Sequence, residues 1–489
     1  MITCRISNSL EIAGLPSEIQ NWFETSSSFN TFAFSTDDIP ANLKLFERVD
    51  KTTIKVPRGF LSMLQTYCNS SNQKLKIIYE TAKEKPTKFK IDPSINYKTG
   101  VFSYQDRVVK DLLQYNHCRL QVPAGGGKTV ISCLLIGKLN KGPTLFLVNK
   151  DRLLRQFVNT VKKVLGLKEE DIGIIKAKKF SIKPITVGSL QTMGKETFDL
   201  EAIKEEFHTV FFDECHISAA LTYRRVLLGL APYRLYGLSA TPEHYASEEL
   251  NNLMDGLLGP IAVVIKEDEI PGRMLPETAT IETGKSYYYD VSPGDPSWRQ
   301  HKQRNNLYNA IAEDNDRNDM IASDTKKLVK KGHKVLITVS RVAHGAVLKD
   351  KLTELGIKVS FPYKIIKRKG KEDDQKVDHK QLDLDVDSIL AGDIDVLIGT
   401  YSLFQTGFDC ANLSAVQLAS PFSGANSTIL IQVFGRIQRY SFDKTQAVAL
   451  DYTDDSFPNN ALRDWANDRV EEMNKRFGPH TTIYKTKNP

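Results

Sequence analysis

The sequence predicts an α/β protein with two tandem lobes, each a parallel sheet flanked by helices, behind a small α+β domain. The first observation is alternation: short β-branched or aromatic runs alternate with longer amphipathic stretches, as in parallel sheets covered by helices. The second is repetition, because a similar series occurs again later in the chain. The third is length, since 489 residues suffice for about three domains of roughly 150 residues each.

The elements are predicted in chain order as follows. Residues 1–95 lack the alternation and form an accessory α+β domain. The first lobe, residues 96–270, has its strands at 119–122, 144–148, 185–187, 209–212 and 234–238 and helices at 128–139 and 150–164. The second lobe, residues 271–455, has its strands at 334–339, 396–400, 415–418 and 447–452. Proline and glycine make 270–295 the predicted linker, residues 363–380 an irregular basic stretch, and residues 456–489 a helical tail.

The composition excludes several classes of protein. Charged residues make up 26% of the chain, which is typical of a globular protein and not of a disordered or fibrous one. The six cysteines include no Cys-x-x-Cys pair, which argues against a disulfide framework or a cysteine-rich zinc module and favours a reducing cytoplasm. No apolar run approaches the roughly 18 residues of a membrane span, and the first residues do not resemble a secretion signal. A net charge of +7 permits a polyanionic partner without identifying one.

A glycine-rich loop lies directly between a predicted strand and a predicted helix. Its glycines, Gly125, Gly126 and Gly127, allow the backbone N–H groups to face a phosphate chain at the helix N-terminus. Lys128 would then reach the β- and γ-phosphates of a nucleoside triphosphate, and the Thr129 hydroxyl would ligate Mg²⁺. The alternative is a plain glycine-rich turn. The loop by itself predicts triphosphate binding and no particular reaction.

Two adjacent carboxylates end an apolar strand downstream of this loop. Asp213 is predicted to hold Mg²⁺, and Glu214 to orient the attacking water. His216 follows on the next turn, either as a residue that couples the site to other motions or as a local hydrogen-bonding residue. The pair and the loop together, in this order, predict hydrolysis of the bound triphosphate.

Smaller motifs add candidates around the same site. Ser239 and Thr241 follow another apolar strand and can sense the γ-phosphate, although a simple Ser/Thr turn before proline explains them as well. Gln105 can read an adenine edge with two hydrogen bonds, and Tyr104 can stack on the base or belong to the core.

The second lobe contributes a predicted helix with Gln432, Arg436 and Arg439. The two arginines are three residues apart and are therefore predicted to share a helix face. Guanidinium groups can neutralise charge on a transferring phosphoryl group, which would require the cleft between the lobes to close. The alternative is a surface helix whose arginines form salt bridges.

These motifs, in this order, resemble those of superfamily 2 helicases of the DExH type, over roughly residues 100–455. The resemblance implies two RecA-like lobes, an ATPase that uses ATP and Mg²⁺, and catalytic roles for Lys128, Asp213, Glu214, Gln432, Arg436 and Arg439. It adds Asp409 to the nucleotide-binding residues, after Thr400-Tyr401-Ser402. It also implies that the nucleic-acid strand is contacted by Asn149, Arg152, Gln191, Thr192, Arg341 and Thr406.

Within that superfamily, the compact core, the N-terminal domain and Gly407-Phe408-Asp409 are most similar to phage branch-migration helicases of the UvsW kind. This resemblance implies a monomeric DNA helicase or translocase that acts on forked or branched DNA in replication, recombination or repair, in the host cytoplasm if the chain is phage-encoded. It makes residues 1–95 a candidate DNA-binding domain and implies replication or recombination proteins as partners.

Three alternatives stay open at this point. The first is a DNA remodelling or scaffolding protein that uses ATP as a switch and never separates strands. The second is the motor of a restriction or repair complex with a separate nuclease. The third is an RNA helicase, because contacts to phosphates do not read the 2′-hydroxyl; DNA is favoured on the likeness to the UvsW kind.

Overall fold

The computed structural model describes most of the chain, and the chain divides into two compact units, residues 1–271 and 272–489. The described residues are 1–30, 42–95, 97–99, 102–123, 125–218, 220–242, 248–270, 274–292, 294–366, 374–404, 410, 412–423, 427–439, 444–477 and 482–485. Within these ranges, none of the helices combines the length and apolarity of a membrane span.

The first unit opens with an α+β region, as predicted. Its elements are β1 Ile2–Ile6, β2 Ser9–Ala13, α1 Ser17–Ser26, β3 Ser28–Asn30, β4 Asn42–Lys44, β5 Glu47–Arg48, β6 Thr53–Pro57, α2 Leu61–Ser70, β7 Leu75–Tyr79 and β8 Lys85–Pro86. Five strands form a sheet in the order β5-β6-β2-β1-β7, antiparallel except for the β1–β7 pair. Alternate residues of β1 (Ile2, Cys4 and Ile6) are buried, so one sheet face is covered.

The α+β region is docked on the lobe that follows it. A single apolar cluster runs from Ile6 and Phe60 into Leu145 and Phe212. The buried guanidinium of Arg58 donates to the carbonyl oxygens of Leu230 at 2.6 Å and Pro232 at 3.0 Å. Because these apolar and polar contacts are buried, this region and the lobe form one compact unit.

The first lobe is an eight-stranded sheet covered by helices. Its elements are α3 Tyr104–Leu112, β9 His117–Gln121, α4 Lys128–Leu139, β10 Lys141–Gly142, β11 Thr144–Val148, α5 Asp151–Leu165, β12 Ile172–Lys176, β13 Lys179–Ser181, β14 Ile185–Ser189, α6 Leu190–Met193, β15 Thr209–Asp213, α7 Leu221–Gly229, β16 Arg234–Ser239, α8 Glu248–Leu258 and β17 Ile261–Val264. The sheet order is β13-β12-β14-β11-β15-β16-β9-β17, and only the β12–β13 pair is antiparallel. β11 and β15 are buried throughout, as expected for central parallel strands.

The second unit is a seven-stranded parallel sheet with helices. Its elements are β18 Pro276–Tyr289, α9 Ser297–Glu313, α10 Asn315–Lys330, β19 Lys334–Val339, α11 Val342–Glu354, β20 Val359–Ser360, β21 Tyr363–Ile366, β22 Asp374–Val377, α12 His379–Ala391, β23 Val396–Thr400, α13 Tyr401–Phe404, β24 Leu413–Leu418, α14 Ser427–Ile437, β25 Ala447–Pro458, α15 Ala461–Phe477 and β26 Thr482–Lys485. The sheet order is β20-β23-β19-β24-β25-β18-β26. Two buried ion pairs join helices of this unit to β25: Arg317 of α10 pairs with Asp454, and Arg469 of α15 pairs with Asp451.

The predicted α/β class is confirmed, but two local expectations are wrong. The predicted linker 270–295 contains β18, which pairs with β25 along its length. Pro276 stands at the first position of this strand, where the missing N–H costs no ladder bond. The predicted irregular stretch 363–380 contains β21 and β22, which form an antiparallel pair; residues 367–373 between them lie outside the described ranges.

The C-terminal residues are not only helical. After α15, the short strand β26 pairs with β18 and completes one edge of the second sheet. The tail therefore belongs to the second unit.

Candidate active site

The candidate residues of the first lobe lie at one edge of its sheet, where three neighbouring strands end. β9 leads into the glycine loop, β15 ends in Asp213, and β16 ends in Ser239. Ser239 is the register partner of Gln121, and Leu238 is the partner of Asp213. Ligands of parallel α/β sheets bind at the carboxyl ends of the strands. The topology thus brings together the residues that the sequence predicts for triphosphate binding and hydrolysis.

The glycine loop has backbone conformations that residues other than glycine adopt only at an energetic cost. Gly125 and Gly127 have φ of +82° and +77°, in the left-handed region. A Cβ on Gly126 would approach Val122 Cγ1 to 2.7 Å and Ile270 Cδ1 to 2.9 Å. Gly127 precedes α4, so the unpaired N–H groups of the first turn face the loop. This arrangement is a suitable cradle for phosphate oxygens.

Lys128 contacts both carboxylates of the strand end. Its ammonium donates a hydrogen bond to Glu214 Oε1 and lies 3.9 Å from Asp213 Oδ1. Burial lowers the pKa of Lys128, but the charges of Glu214 and Asp213 raise it by more, so the ammonium stays charged. Burial, and then the charge of Glu214, raise the pKa of Asp213 to about 6 in spite of Lys128. The site therefore holds one cation between two carboxylates.

Glu214 is held in an unusual backbone conformation. Its φ of +53° is in the left-handed region, which a non-glycine residue adopts at a cost of about 1–2 kcal/mol. Its Oε2 lies 3.5 Å from His216 Nδ1, and the same nitrogen lies 3.1 Å from Ser239 Oγ. Ser239 Oγ also accepts a hydrogen bond from the N–H of Thr241 at 3.0 Å. Glu214, His216, Ser239 and Thr241 therefore form one continuous polar chain.

That polar chain reaches the strand before the glycine loop. The N–H of Val122 donates to the carbonyl oxygen of Ser239 at 2.8 Å. The end of β16 is thus joined to the strand before the loop by one backbone hydrogen bond. A coupling role for Ser239 and His216 stays a prediction.

Tyr104 and Gln105 contact the glycine loop from α3. The Tyr104 hydroxyl donates to the carbonyl oxygen of Gly126 at 3.0 Å, and Gln105 Nε2 lies 3.5 Å from that hydroxyl. A Cβ on Gly127 would come within 2.9 Å of Gln105 Nε2. Both side chains are buried and support the loop. Recognition of adenine by Gln105 stays a prediction.

The residues predicted to contact nucleic acid in the first lobe lie at the same sheet edge. Asn149 follows β11, and its buried Oδ1 has no hydrogen-bond partner among the described residues. Gln191 and Thr192 lie on α6, directly after β14, and Gln191 lines a cavity of about 340 Å³. Arg152 lies on α5, and its side chain is outside the description.

Those predicted residues of the second lobe that the structure describes follow the carboxyl ends of its strands. Arg341 follows β19; its guanidinium donates to Asn305 Oδ1 and lies 5.7 Å from the ring centre of Tyr308. Gln432 and Arg436 lie on α14. Thr406 and Asp409 lie outside the described residues.

The expectation that Arg436 and Arg439 share a helix face is wrong. α14 ends at Ile437, so Arg439 follows the helix. The backbone carbonyls at this end are used elsewhere: Gln438 O accepts from the N–H of Met274 at 3.2 Å, and Arg439 O accepts from Lys444 Nζ at 2.9 Å. These contacts turn the chain out of the helix.

Two residues that hold the site were missed in the sequence. Arg119 is buried on β9 and donates to the carbonyl oxygens of Pro242 at 2.7 Å and Gly259 at 3.0 Å, which fixes the segment after Ser239. The Tyr363 hydroxyl accepts from the N–H of Thr400 at 2.8 Å, where the predicted strand-contacting motif begins. The available sequence signal for Arg119 was an arginine within a predicted strand that leads into the glycine loop. Tyr363 lies in the basic stretch, and no local pattern marks it.

The donor set of the site fits Mg²⁺. Asp213 Oδ1 is buried and accepts no hydrogen bond within the described part of the chain, and the Thr129 side chain is on the first turn of α4. No cluster of three or more His, Cys, Asp or Glu side chains is found in the ranges given above. Mg²⁺ is commonly held by one or two carboxylates together with substrate phosphates, so a dedicated protein cage is not required.

Comparison with known proteins identifies the domain around this site. The family described as "Type III restriction enzyme, res subunit" matches residues 98–244. The 109L protein of Invertebrate iridescent virus 3, which carries the name of a helicase, is 27% identical over 206 residues, 38% of this chain and 60% of its own length. The DNA 3'-5' helicase XPB of Kineococcus radiotolerans is 26% identical over 143 residues, 28% of this chain and 25% of its own length. The chain thus spans about 60% or less of the length of these relatives.

Solved structures share the fold. Dbp5 of S. cerevisiae, bound to RNA and ADP BeF3, aligns with a TM-score of 0.53 and 17% identity over 78% of this chain and 89% of its own. The crystal structure of T4 UvsW aligns over 99% of both chains at 19% identity, with a TM-score of 0.37. The alignment with Dbp5 confirms the fold of two RecA-like lobes, and the finer likeness to the UvsW kind stays a prediction.

Proposed function

We propose that this chain is an ATP-driven DNA helicase or translocase that acts on forked or branched DNA, with its ATPase domain around residues 98–244. The observation that carries the proposal is the contact of Lys128, at the glycine loop, with the Asp213–Glu214 pair at the end of β15. A phosphate cradle, a metal carboxylate and a water-orienting carboxylate are the parts that phosphoryl transfer needs.

Nucleotide binding would rearrange the partners of Lys128. The loop N–H groups and Lys128 would bind the triphosphate, so the ammonium would exchange Glu214 for phosphate oxygens. Thr129 and Asp213 would hold Mg²⁺, which supplies charge neutralisation on the phosphates. Glu214, released from Lys128, would accept a hydrogen bond from the attacking water.

The polar chain behind Glu214 would connect hydrolysis to the strand-binding edge. His216 contacts both Glu214 and Ser239, and the carbonyl of Ser239 is bonded to Val122 before the loop. The same sheet edge carries Asn149, Gln191 and Thr192, which we propose as contacts to the strand backbone. Contacts to phosphates give affinity without sequence readout.

The preference for DNA is supported by the name of the XPB relative and by the restriction-enzyme family. The action on forks and branches is supported by the sequence likeness to the UvsW kind alone. The arginines Arg436 and Arg439 remain candidates for neutralising charge on the transferring phosphoryl group.

The test is ATP hydrolysis measured side by side with single-stranded DNA, duplex, fork, four-way junction and RNA. We expect stimulation by DNA, strongest for the branched forms, and strand displacement on the fork. Lys128→Ala should abolish hydrolysis, whereas Lys138→Ala, an exposed lysine of the same helix, should not.

Each other outcome has a defined meaning. A flat response to all five nucleic acids would overturn the motor function. Stimulation by DNA without strand displacement or junction movement would favour an ATP-switched remodelling protein, and stimulation by RNA alone would favour an RNA helicase.

A further inference from the structure

Two strands of the second unit continue past the rest of their sheet. The pairing of β24 with β25 ends at Asp451, and that of β26 with β18 ends at Glu282. β18 and β25 nevertheless stay paired to Tyr289 and Pro458. Among the strands that the structure describes, no third strand pairs with this extension. It is a two-stranded ribbon at the carboxyl edge of the sheet.

The ribbon has one buried and one exposed face, both aromatic. Tyr287 and Tyr289 are buried with Leu307 of α9. Tyr288 points to the other face and is the register partner of Phe457. Each of these two side chains is 52% exposed, and their rings meet edge to face with centres 5.7 Å apart. An exposed aromatic pair contributes little to the core, so its presence calls for a binding partner.

A third exposed aromatic side chain belongs to α9, the helix that packs against the buried face of the ribbon. Trp298, in the first turn of α9, is 67% exposed. Its neighbour Arg299 donates to Asp290 Oδ2 at 2.9 Å, and the same oxygen lies 3.5 Å from the Tyr288 hydroxyl. Asp290 thus ties the start of the helix to the exposed pair. Arg299 also pairs with Asp295, so one guanidinium contacts both of these carboxylates.

A stripe of exposed side chains on α9 begins at Trp298 and ends at Asn305, which contacts Arg341. Trp298, Lys302 and Asn305 are spaced by four and three residues, so they share one face, and all three are exposed. Asn305 Oδ1 accepts a hydrogen bond from Arg341. The stripe covers about 10 Å at 1.5 Å per residue. The aromatic group is therefore continuous with a residue that we expect to contact the strand.

We propose that Tyr288, Phe457 and Trp298 form a stacking platform for unpaired nucleobases of the bound strand. The proposal rests on the proposed function, since it needs a nucleic-acid ligand. Exposed aromatic rings interleaved with cations are the chemistry that binds single strands without sequence preference. Lys302 and Arg341 supply positive charge along the path, which complements phosphates. The platform gives the second unit contacts to bases as well as to the backbone.

The test compares two single strands of about 20 nucleotides, one of thymidine and one abasic, with binding measured by fluorescence anisotropy. The wild-type protein should bind the thymidine strand more tightly. Tyr288→Ala with Phe457→Ala, and separately Trp298→Ala, should weaken thymidine binding about ten-fold per lost stacking contact and leave abasic binding unchanged. Trp298→Phe should retain most of the preference, because it keeps an aromatic face.

Phe180→Ala is the matched control, since Phe180 is 60% exposed and lies on β13, the edge strand of the first lobe's sheet; it should leave both affinities unchanged. A platform variant that keeps the wild-type preference for the thymidine strand, or that loses abasic binding to the same extent, would overturn the platform alone. A wild-type protein that binds neither strand and whose ATP hydrolysis is not stimulated would overturn the proposed function, and the platform with it.

Discussion

The ammonium of Lys128 has two carboxylate neighbours, and each is held by a different feature. Asp213 belongs to the buried end of β15, whereas Glu214 is placed by its left-handed backbone. The sequence predicted the two roles from the order of the residues. It gave no sign that Glu214 would have a positive φ or contact Lys128, because both depend on how neighbouring strands place the loop and the strand end.

Replacement of Glu214 tests the division of roles. Glu214→Gln keeps the size of the side chain but removes the charge that would attract the proton of the attacking water. We expect the kcat of ATP hydrolysis to fall by about 10²–10⁴-fold while nucleotide binding is retained. Glu201→Gln, at an exposed glutamate that pairs with Lys204, is the control and should keep the wild-type kcat. Loss of nucleotide binding in Glu214→Gln would instead assign Glu214 to the binding of nucleotide.

His344 is a neutral buried histidine behind Arg341. Asn318 Nδ2 donates to Ala312 O, so Asn318 Oδ1 accepts from His344 Nε2 at 2.9 Å, and His344 Nδ1 lies 3.1 Å from Ser420 Oγ. Burial, and then the charge of Arg317, lower the pKa of His344 to about 3. The sequence does not distinguish this histidine from the exposed His301.

This lowered pKa predicts a pH dependence of stability. A pKa that folding lowers from 6.5 contributes stability that is complete above pH 6.5 and is lost as pH falls toward 3. At about 1.4 kcal/mol per pKa unit, protonation costs about 2 kcal/mol by pH 5. His344→Gln should therefore destabilise the protein less at pH 5 than at pH 7.5, by about that amount in urea unfolding. A stability difference that is the same at both pH values would contradict this.

At the scale of elements, the α+β region and α8 meet at Gly59. A Cβ on Gly59 would lie 2.0 Å from Asp255 O and 2.5 Å from Gly256 O, both backbone atoms. The approach therefore requires a residue without a side chain. Arg58, next to it, donates to the carbonyl oxygens of Leu230 and Pro232 in the lobe.

Gly59→Ala should separate these elements or strain them. Because backbone atoms cannot give way as side chains do, we expect a loss of at least about 2–3 kcal/mol in the free energy of unfolding. Gly294→Ala, where no atom lies within 4 Å of the added carbon, is the control and should change stability little. An unaltered thermal midpoint for Gly59→Ala would show that this contact does not hold the region to the lobe.

The sequence predicted the central strands well and the peripheral ones poorly. β11, β15 and β19 are short apolar runs between helices, and their alternation with those helices is a local signal. β18 was read as a linker because of its flanking prolines and glycines, although Thr278, Thr280 and the three tyrosines favour a strand. The end of α14 was missed because the residues after it are held by contacts that no helix pattern shows: the N–H of Met274, which is distant in sequence, donates to Gln438 O, and Lys444 donates to Arg439 O.

At the scale of the whole molecule, the chain has two compact units, and the α+β region belongs to the first of them. The order of the motifs was sufficient to predict two lobes. The docking of residues 1–95 was not predictable, because it rests on single contacts such as Gly59 on α8, for which one sequence carries no pattern.

The role of the second unit in hydrolysis is tested at Arg436. If its guanidinium neutralises charge on the transferring phosphoryl group, Arg436→Ala should retain ATP binding and lose about 10³-fold or more in kcat. Arg476→Ala, on α15 and paired with Glu472, should behave as wild type. Unchanged turnover in Arg436→Ala would remove this role.

The buried contacts of Arg58 and Gly59 with the first lobe have a practical consequence for single-molecule measurement. A fluorophore attached to the N-terminal sheet would report the orientation of the glycine loop without touching it, since both travel with the same unit. Paired with a second dye on α15, it would give an energy-transfer signal that tests whether the distance between the two units changes during ATP hydrolysis.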